Sequence, residues 1–231
     1  AGWVIDREVY TVSQLSQPGG LAPQIGSLKA SGADVIVMFT TPAATASALL
    51  TAAGLHYRPQ WMASSVGSDP NTLIGLVKSQ TGGRVGSQLL EGMVGGSSLP
   101  SYGEPGAGAW IQLFQWVHDL FIPDLPFDGN TVFGMAAAYT FAQALKAAGT
   151  NPTRASLVQA VENGGFRGPG LVPFTYSKTN HQGYSGEQVF VVRSGAAISV
   201  GPPQVTDDGD GVLSAYATPP PPPSSGGIGI G

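Results

Sequence analysis

The stretch that decides the fold is Ala33-Asp34-Val35-Ile36-Val37-Met38-Phe39-Thr40-Thr41-Pro42, followed by an alanine-rich segment that reaches Gly54. The apolar run at 34–39 is short and bounded, which is typical of a buried parallel strand. Thr41 is a favourable helix cap and Pro42 suits the first helical position, so a helix is predicted from there to Gly54. In open α/β sheets, the polar tip between such a strand and helix is where small ligands bind.

The same alternation recurs along the first hundred residues. Strands are predicted at 4–12, 34–39, 60–63 and 88–95, and helices at 21–31, 42–54 and from about 72. Strands that alternate with helices indicate a parallel sheet of right-handed βαβ units. The predicted class is therefore α/β, with a parallel Rossmann-like sheet and flanking helices.

The second half of the chain is predicted to be mainly helical and to end in strands. Helices are predicted at 109–121, 131–148 and 152–162, the last of them capped by Asn151. The runs 187–192 and 196–200 flank Arg193-Ser194-Gly195 and predict a β-hairpin. Residues 202–231 are rich in proline, glycine and serine and predict a disordered tail.

Composition excludes several function classes. The 231 residues carry a net charge of −4 and no cysteine, and the ten lysines and arginines are scattered singly. Nucleic-acid binding needs clustered positive charge, so it is not expected. No apolar stretch approaches the roughly 18 residues of a membrane span, so the chain is not expected to be membrane-spanning.

The sequence offers little catalytic or metal chemistry. His56, His118 and His181 are far apart and lack metal-ligand spacing. There is no G-x-S-x-G elbow, no Walker loop and no G-x-G-x-x-G motif after a strand. We therefore predict no catalytic residues, no metal and no cofactor, and a hydrolase is the least favoured alternative.

Two hydroxyl-bearing clusters remain as candidates for a ligand site. Phe39, Thr40 and Thr41 follow the second predicted strand, and Ser64 and Ser65 follow the third. Both clusters precede helix N-termini, where hydroxyls and free backbone N–H groups suit an uncharged or anionic ligand. Ordinary helix capping explains each cluster singly, but their expected meeting at one sheet edge favours binding.

Several segments of the chain resemble those of a known protein family. Gly32-Ala33-Asp34-Val35-Ile36-Val37 and Glu91-Gly92-Met93 are similar to segments of type I periplasmic solute-binding proteins, in particular the leucine/isoleucine/valine-binding branch. Further similar segments lie at 19–29, 52–55, 137–149, 166–174 and 188–195, in the same order along the chain. The resemblance covers roughly residues 3–200.

The resemblance implies a two-lobed α/β fold that closes on a ligand, of which this chain lacks most of the N-terminal lobe. It implies the following division: 3–97 is the second, ligand-binding lobe, 98–168 a crossover and helices returning to the first lobe, and 169–201 a crossover and closing hairpin, before the tail at 202–231. It further implies an extracytoplasmic protein that hands a small polar solute to an ATP-driven (ABC) permease, without enzymatic activity. Phe133, on the returning helix, joins the expected ligand-binding residues.

This sequence departs from the amino-acid-binding pattern at the Ser64-Ser65 turn. Amino-acid binders of the family place an acid there to pair with the ligand ammonium, whereas here no acid precedes Asp69. A hydroxyl does not replace that charge-assisted bond, so a neutral or acidic solute is also expected. A ligand-sensing module on the same fold is the main alternative function, since fold does not fix function.

Overall fold

The computed structural model describes residues 5–17, 19–102, 108–164, 166, 169–206 and 211–217. The chain forms two compact units. The first comprises Ala1–Gly96 and Phe190–Ile198, and the second comprises Ser97–Val189 and Ser199–Gly231. Each unit has its own apolar core.

The first unit is an α/β layer structure. Its helices and strands are α1 (Ala22–Ala30), β1 (Val35–Met38), α2 (Pro42–Gly54), β2 (Gln60–Ala63), α3 (Pro70–Thr81) and β3 (Val94–Ser97, which ends at the unit boundary). β1 and β2 pair in parallel with Met38 opposite Ala63, and β2 and β3 pair in parallel with Met62 opposite Val94. The second half of β6 (Gly186–Arg193) lies beside β3 and continues through a two-residue turn into β7 (Ala196–Ser199). The predicted α/β class with a parallel sheet is confirmed.

One face of this sheet forms the core of the first unit. Ile36, Met38, Trp61 and Ala63 point from β1 and β2 into a cluster with Leu49, and the other buried members include Leu73, Val77, Met93, Phe190 and Val192. These residues come from strands and from α2 and α3, so burial of their apolar surface holds the helices against the sheet. This packing fixes the positions of the carboxyl ends of β1 and β2.

The opposite face of β1 departs from the prediction of a fully buried strand. Burial alternates along Val35–Met38, and Val37 is 57% exposed while Ile36 and Met38 are buried. Met62 of β2 lies opposite Val37 and is also exposed. The apolar run at 34–39 would allow β1 to be buried on both faces of the sheet. In the described part of the chain, helices cover only one of these faces.

The second unit is built on three helices: α4 (Gly108–Phe121), α5 (Gly129–Ala148) and α6 (Arg154–Glu162). Its small strands are β4 (Phe174–Thr175), β5 (Gly183–Tyr184), β8 (Gln204–Thr206) and β9 (Leu213–Ala215), with the first half of β6 paired to β8. Trp110, Phe114, Val132 and Ala136 are the centre of its core, where α4 meets α5. The Trp110 and Tyr139 rings meet edge to face at 5.0 Å.

Two predicted strands are corrected by the structure. Residues 5–11 of the predicted strand 4–12 lack regular structure and 12–16 form a short 3-10 helix; residue 4 lies outside the described residues. In the predicted strand 88–95, residues 87–90 form a 3-10 helix and β3 starts only at Val94. Gly92 has a φ of +80° between them, which no continuous strand accommodates.

Two further predictions about the second half are also corrected. The helix predicted at 152–162 begins at Arg154 and is capped by Thr153, whose Oγ1 accepts from the Ser156 N–H at 3.1 Å, rather than by Asn151. Strands β8 and β9 lie within the stretch predicted to be a disordered tail, while 207–210 and 218–231 fall outside the described residues. No helix in the described part of the chain is long and apolar enough to cross a membrane.

Candidate functional site

The two hydroxyl clusters leave the sheet at the same edge of the first unit. β1 and β2 are parallel and in register at Met38 and Ala63, so the residues after both strands emerge side by side. The backbone N–H of Ser64 donates to the Met38 carbonyl at 3.0 Å, which extends the pairing one step beyond the strands. The structure therefore brings Thr40 and Thr41 together with Ser64 and Ser65.

Thr41 caps α2, as the sequence predicts. Its Oγ1 accepts from the Ala44 N–H at 3.4 Å, and Pro42 occupies the first turn. The Thr41 N–H donates to the Tyr10 hydroxyl at 3.3 Å. A threonine cap with its own N–H tied to a neighbouring segment holds the strand-to-helix turn in one conformation.

A chain of hydroxyls links Thr40 to the helix. The Oγ1 atoms of Thr40 and Thr45 lie 2.7 Å apart, and Thr45 Oγ1 donates to the Thr41 carbonyl at 3.3 Å. Thr45 is fully buried, and its hydroxyl carries a single proton. When Thr45 donates to the Thr41 carbonyl, Thr40 must donate to Thr45. The lone pairs of Thr40 are then left to accept a hydrogen bond from a ligand.

Gly67 brings the second cluster against the first. A Cβ atom at residue 67 would lie 2.5 Å from the Thr40 carbonyl oxygen and 2.7 Å from Thr45 Oγ1. Only glycine permits this approach of the 64–67 turn to Thr40. The Gly67 N–H donates back to the Ser64 carbonyl at 3.0 Å, which closes the turn.

Ser64 and Ser65 present half-buried hydroxyls at this edge. Within the described residues neither side chain has a hydrogen-bond partner, whereas Ser68 is buried and donates to the Gly96 carbonyl at 3.0 Å. Ser68 therefore anchors the turn, while Ser64 and Ser65 offer donors and acceptors outward.

The first acid after the turn serves as a helix cap. Asp69 Oδ1 accepts from the Thr72 N–H at 2.8 Å and from the Thr72 hydroxyl at 2.7 Å, and α3 starts with Pro70. The segments 39–41 and 64–68 carry no charged side chain. Their electrostatic character comes from hydroxyls and from the N-terminal ends of α2 and α3, which favour neutral or negative groups.

The two aromatic candidates are both exposed. Phe39 is 83% exposed at the tip of β1, and Val66 is exposed on the neighbouring turn. Phe133 belongs to the second unit, where it lies on α5 with 66% of its surface exposed. Its place among the ligand-binding residues stays a prediction, as does the binding role of the five residues in the first unit.

Thr45 and Gly67 are structural parts of the edge that the sequence argument missed. Thr45 could have been predicted from the sequence, because the hydroxyl of a threonine in a helix can donate to the carbonyl four residues earlier, here that of Thr41. Gly67 has no such local signal. It must be glycine because it lies against Thr40, which is 27 positions earlier in the sequence. Among the described residues, no group of three acidic, histidine or cysteine side chains is placed to hold a metal ion.

The comparisons with solved structures find the same fold in solute-binding proteins. The branched-chain amino acid ABC transporter protein of Thermus thermophilus, solved with bound valine, is 17% identical with a TM-score of 0.63, covering 81% of this chain and 50% of that one. The substrate-binding periplasmic protein of Ralstonia solanacearum is 21% identical with a TM-score of 0.65, covering 79% and 50% respectively. A fatty acid ABC transporter substrate-binding protein of Thermomonospora curvata is 18% identical with a TM-score of 0.61, covering 81% and 47%.

The chain thus spans about half the length of the solved proteins it matches. In sequence, it matches none of the curated proteins. The family model described as periplasmic binding protein matches residues 2–197, which is most of the chain and includes both hydroxyl clusters. The chain therefore belongs to the periplasmic binding protein family.

Proposed function

We propose that this chain is the extracytoplasmic solute-binding component, or part of it, of an ATP-driven importer, and that it binds a small polar solute as two lobes close. The observation that carries the proposal is the edge formed by Thr40, Thr41, Ser64 and Ser65. Hydroxyl groups there keep unused hydrogen-bonding capacity and lie beside two helix N-termini. Such an edge binds by hydrogen bonds and fixed dipoles and requires no covalent chemistry. Phe39 supplies an apolar contact at its rim, and the family resemblance adds Phe133 of the second unit to the residues proposed to bind the solute.

The chemistry of this edge favours a solute with a carboxylate or another hydrogen-bonding head group. The serine hydroxyls can donate, and the N-terminal dipoles of α2 and α3 favour an acidic or neutral acceptor beside them. Thr40, whose proton goes to Thr45, accepts from an O–H or N–H of the solute. The relatives include proteins described as binding valine and fatty acids, and both of these ligands carry a carboxylate. The absence of acid in 64–68 disfavours recognition of an ammonium by this edge.

A thermal-shift and calorimetric screen tests this proposal on the longest natural protein that contains this chain. The panel comprises branched-chain and polar amino acids, amides, urea, short hydroxy acids and fatty acids. We expect at least one solute to raise the melting temperature, because a ligand that binds the folded state stabilises it. If no member of the panel does so, the solute-binding proposal is wrong.

Two single substitutions then test the edge itself. Thr40→Val and Ser64→Ala each remove one hydroxyl, and loss of a neutral hydrogen bond of about 0.5–1.5 kcal/mol weakens binding roughly 2- to 12-fold. Ser79→Ala is the matched control, because Ser79 is an exposed serine on α3. Binding that is unchanged in both edge variants would place the solute elsewhere on the protein.

A further inference from the structure

His118 is a buried histidine that the proposed solute site does not use. It lies on α4, is 4% exposed, and stands beside the connection 122–128 that leads into α5. Its Nδ1 lies 2.8 Å from Asp119 Oδ1 and its Nε2 lies 2.8 Å from the Leu125 carbonyl oxygen. The ring therefore bridges its own helix and the connection.

Both partners of the ring are hydrogen-bond acceptors. A carboxylate and a backbone carbonyl have no proton to give, so each bond requires an N–H on the imidazole side. A neutral imidazole has one N–H and satisfies one partner, while an imidazolium satisfies both. This geometry also leaves no ring nitrogen to act as a general base, which argues against the hydrolase alternative at this histidine.

The charged side chains around His118 also favour the protonated ring. On α4, Asp119 is the only other charged side chain, and it also accepts from Gln115 at 2.7 Å. The connection carries Asp124, and Asp128 starts α5, where its Oδ1 accepts the N–H groups of Asn130 and Thr131. The Phe127 ring meets the imidazole edge to face at 5.1 Å and excludes water from one side. α4 and the connection carry no lysine or arginine, and the one lysine of α5, Lys146, lies in its last turn, far along the helix from Asp128.

Most side chains of the connection are poorly buried, so it depends on this bridge. Ile122 and Leu125 are exposed, and Phe127 is the apolar side chain of the connection that packs against the core of the second unit, so apolar packing holds residues 122–126 weakly. Its other hydrogen bonds include the Ile122 N–H on the His118 carbonyl at 2.8 Å, the Leu125 N–H on the Ile122 carbonyl at 3.1 Å and the Thr131 hydroxyl on the Pro126 carbonyl at 2.7 Å. Loss of the bond from His118 would release the Leu125 carbonyl.

We propose that His118 is a proton-dependent latch that fastens the α4–α5 connection to α4 when the imidazole is charged and loosens it when the imidazole is neutral. The hydrogen bond to Asp119, followed by the bond to the Leu125 carbonyl, raises the pKa of His118. The folded pKa thus lies above the unfolded value of about 6.5. The latch is therefore fully closed below about pH 6.5 and is lost as the pH rises through the folded pKa.

Proton NMR titration of the three histidine rings in the full chain tests the latch directly. We expect the ring assigned to His118 by its loss in His118→Gln to titrate above the midpoint that the same ring shows in the urea-unfolded chain. Asp119→Asn keeps the ring and removes the carboxylate, so it should lower the titration midpoint of His118. A His118 midpoint in the folded chain at or below its value in the unfolded chain would overturn the proposal.

Hydrogen exchange then reads the connection itself. After correction for intrinsic exchange, amides at 122–127 should open several-fold more often at pH 8.5 than at pH 6, and this difference should disappear in His118→Gln. His181→Gln is the matched control, because His181 is an exposed histidine 3.9 Å from Glu162 in the same unit. Equal opening at both pH values in the wild type would refute the latch. If His118→Gln fails to fold, Asp119→Asn and the wild-type profile still decide.

Discussion

Gly67→Ala tests whether the two halves of the candidate edge touch as described. The added methyl would lie 2.5 Å from the Thr40 carbonyl oxygen, and real Cβ atoms essentially never come closer than 3.0 Å, so the turn must move by at least about 0.5 Å. The first obstacle is backbone and the second, Thr45 Oγ1, is a fully buried hydroxyl, so neither can swing away. Overpacking of this kind costs about 1–3 kcal/mol.

Gly75→Ala provides the same chemical change with the opposite expected sign. Gly75 is an exposed residue within α3, and a Cβ there meets nothing within 4 Å. Replacing a helical glycine by alanine stabilises by roughly 0.5–1 kcal/mol, because the unfolded chain loses freedom and the helix gains a better former. The two alanine variants should therefore differ by about 1.5–4 kcal/mol within one unit.

Urea unfolding followed by circular dichroism measures the difference, and hydrogen exchange of α2 and α3 amides assigns it to the first unit. With a urea slope of about 1–3 kcal/mol/M, the midpoints of the two variants should separate by roughly 0.5 M or more. If Gly67→Ala unfolds at or above the wild-type midpoint, Thr40 and the 64–67 turn are not in contact, and the candidate edge is not assembled. Equal losses in both variants would show that the effect comes from alanine as such.

Three further predictions concern packing, capping and exposed surface. Leu49→Ala should destabilise the first unit by about 2–5 kcal/mol because Leu49 is almost fully buried, while the exposed Val66→Ala should change stability by less than about 0.5 kcal/mol; urea unfolding compares them. Asp69→Ala should cost about 1 kcal/mol through loss of the α3 cap, and Asp69→Asn should cost less because asparagine also caps well; equal losses in thermal unfolding would contradict this. The 231-residue chain alone should bind a hydrophobic dye and scatter light as more than a monomer through exposed residues such as Phe133 and Phe141, and a clean monomer with little dye binding would count against this reading of the surface.

The β1–α2 region could be predicted because its signals are local. Thr41 and Pro42 determine where α2 begins to within two residues. The short apolar run before them predicts a single strand that ends just before Thr40. The predicted strand at 60–63 and the helix at 42–54 have the bounds found in the structure. Since parallel strands release their following residues at one edge, the emergence of residues 39–41 and 64–65 at the same edge also followed from the sequence.

The predicted strand at 4–12 failed because propensity requires a partner strand. Valine, isoleucine and tyrosine favour strands only where a neighbour takes up their backbone hydrogen bonds. In the structure a local alternative takes their place: the Thr11 N–H donates to the Gln14 side chain at 2.6 Å and starts a 3-10 helix. The close approach at Gly67 escaped prediction for the opposite reason, since it depends on a residue distant in sequence.

The exposed faces of β1 and α5 show what the sequence specifies beyond the described contacts. Val37 on β1 and Phe141 on α5 are apolar residues opposite buried ones, so both elements carry apolar side chains on two sides. An element that is apolar all round is stable between two layers, and parallel sheets are normally covered on both faces. The described residues supply one layer to each. The solved proteins that the chain matches are about twice its length. Solute binding at the proposed edge should therefore be measured on the longest natural protein that contains this chain, because Phe39 and Thr40 extend directly from β1, whose second face no described helix covers.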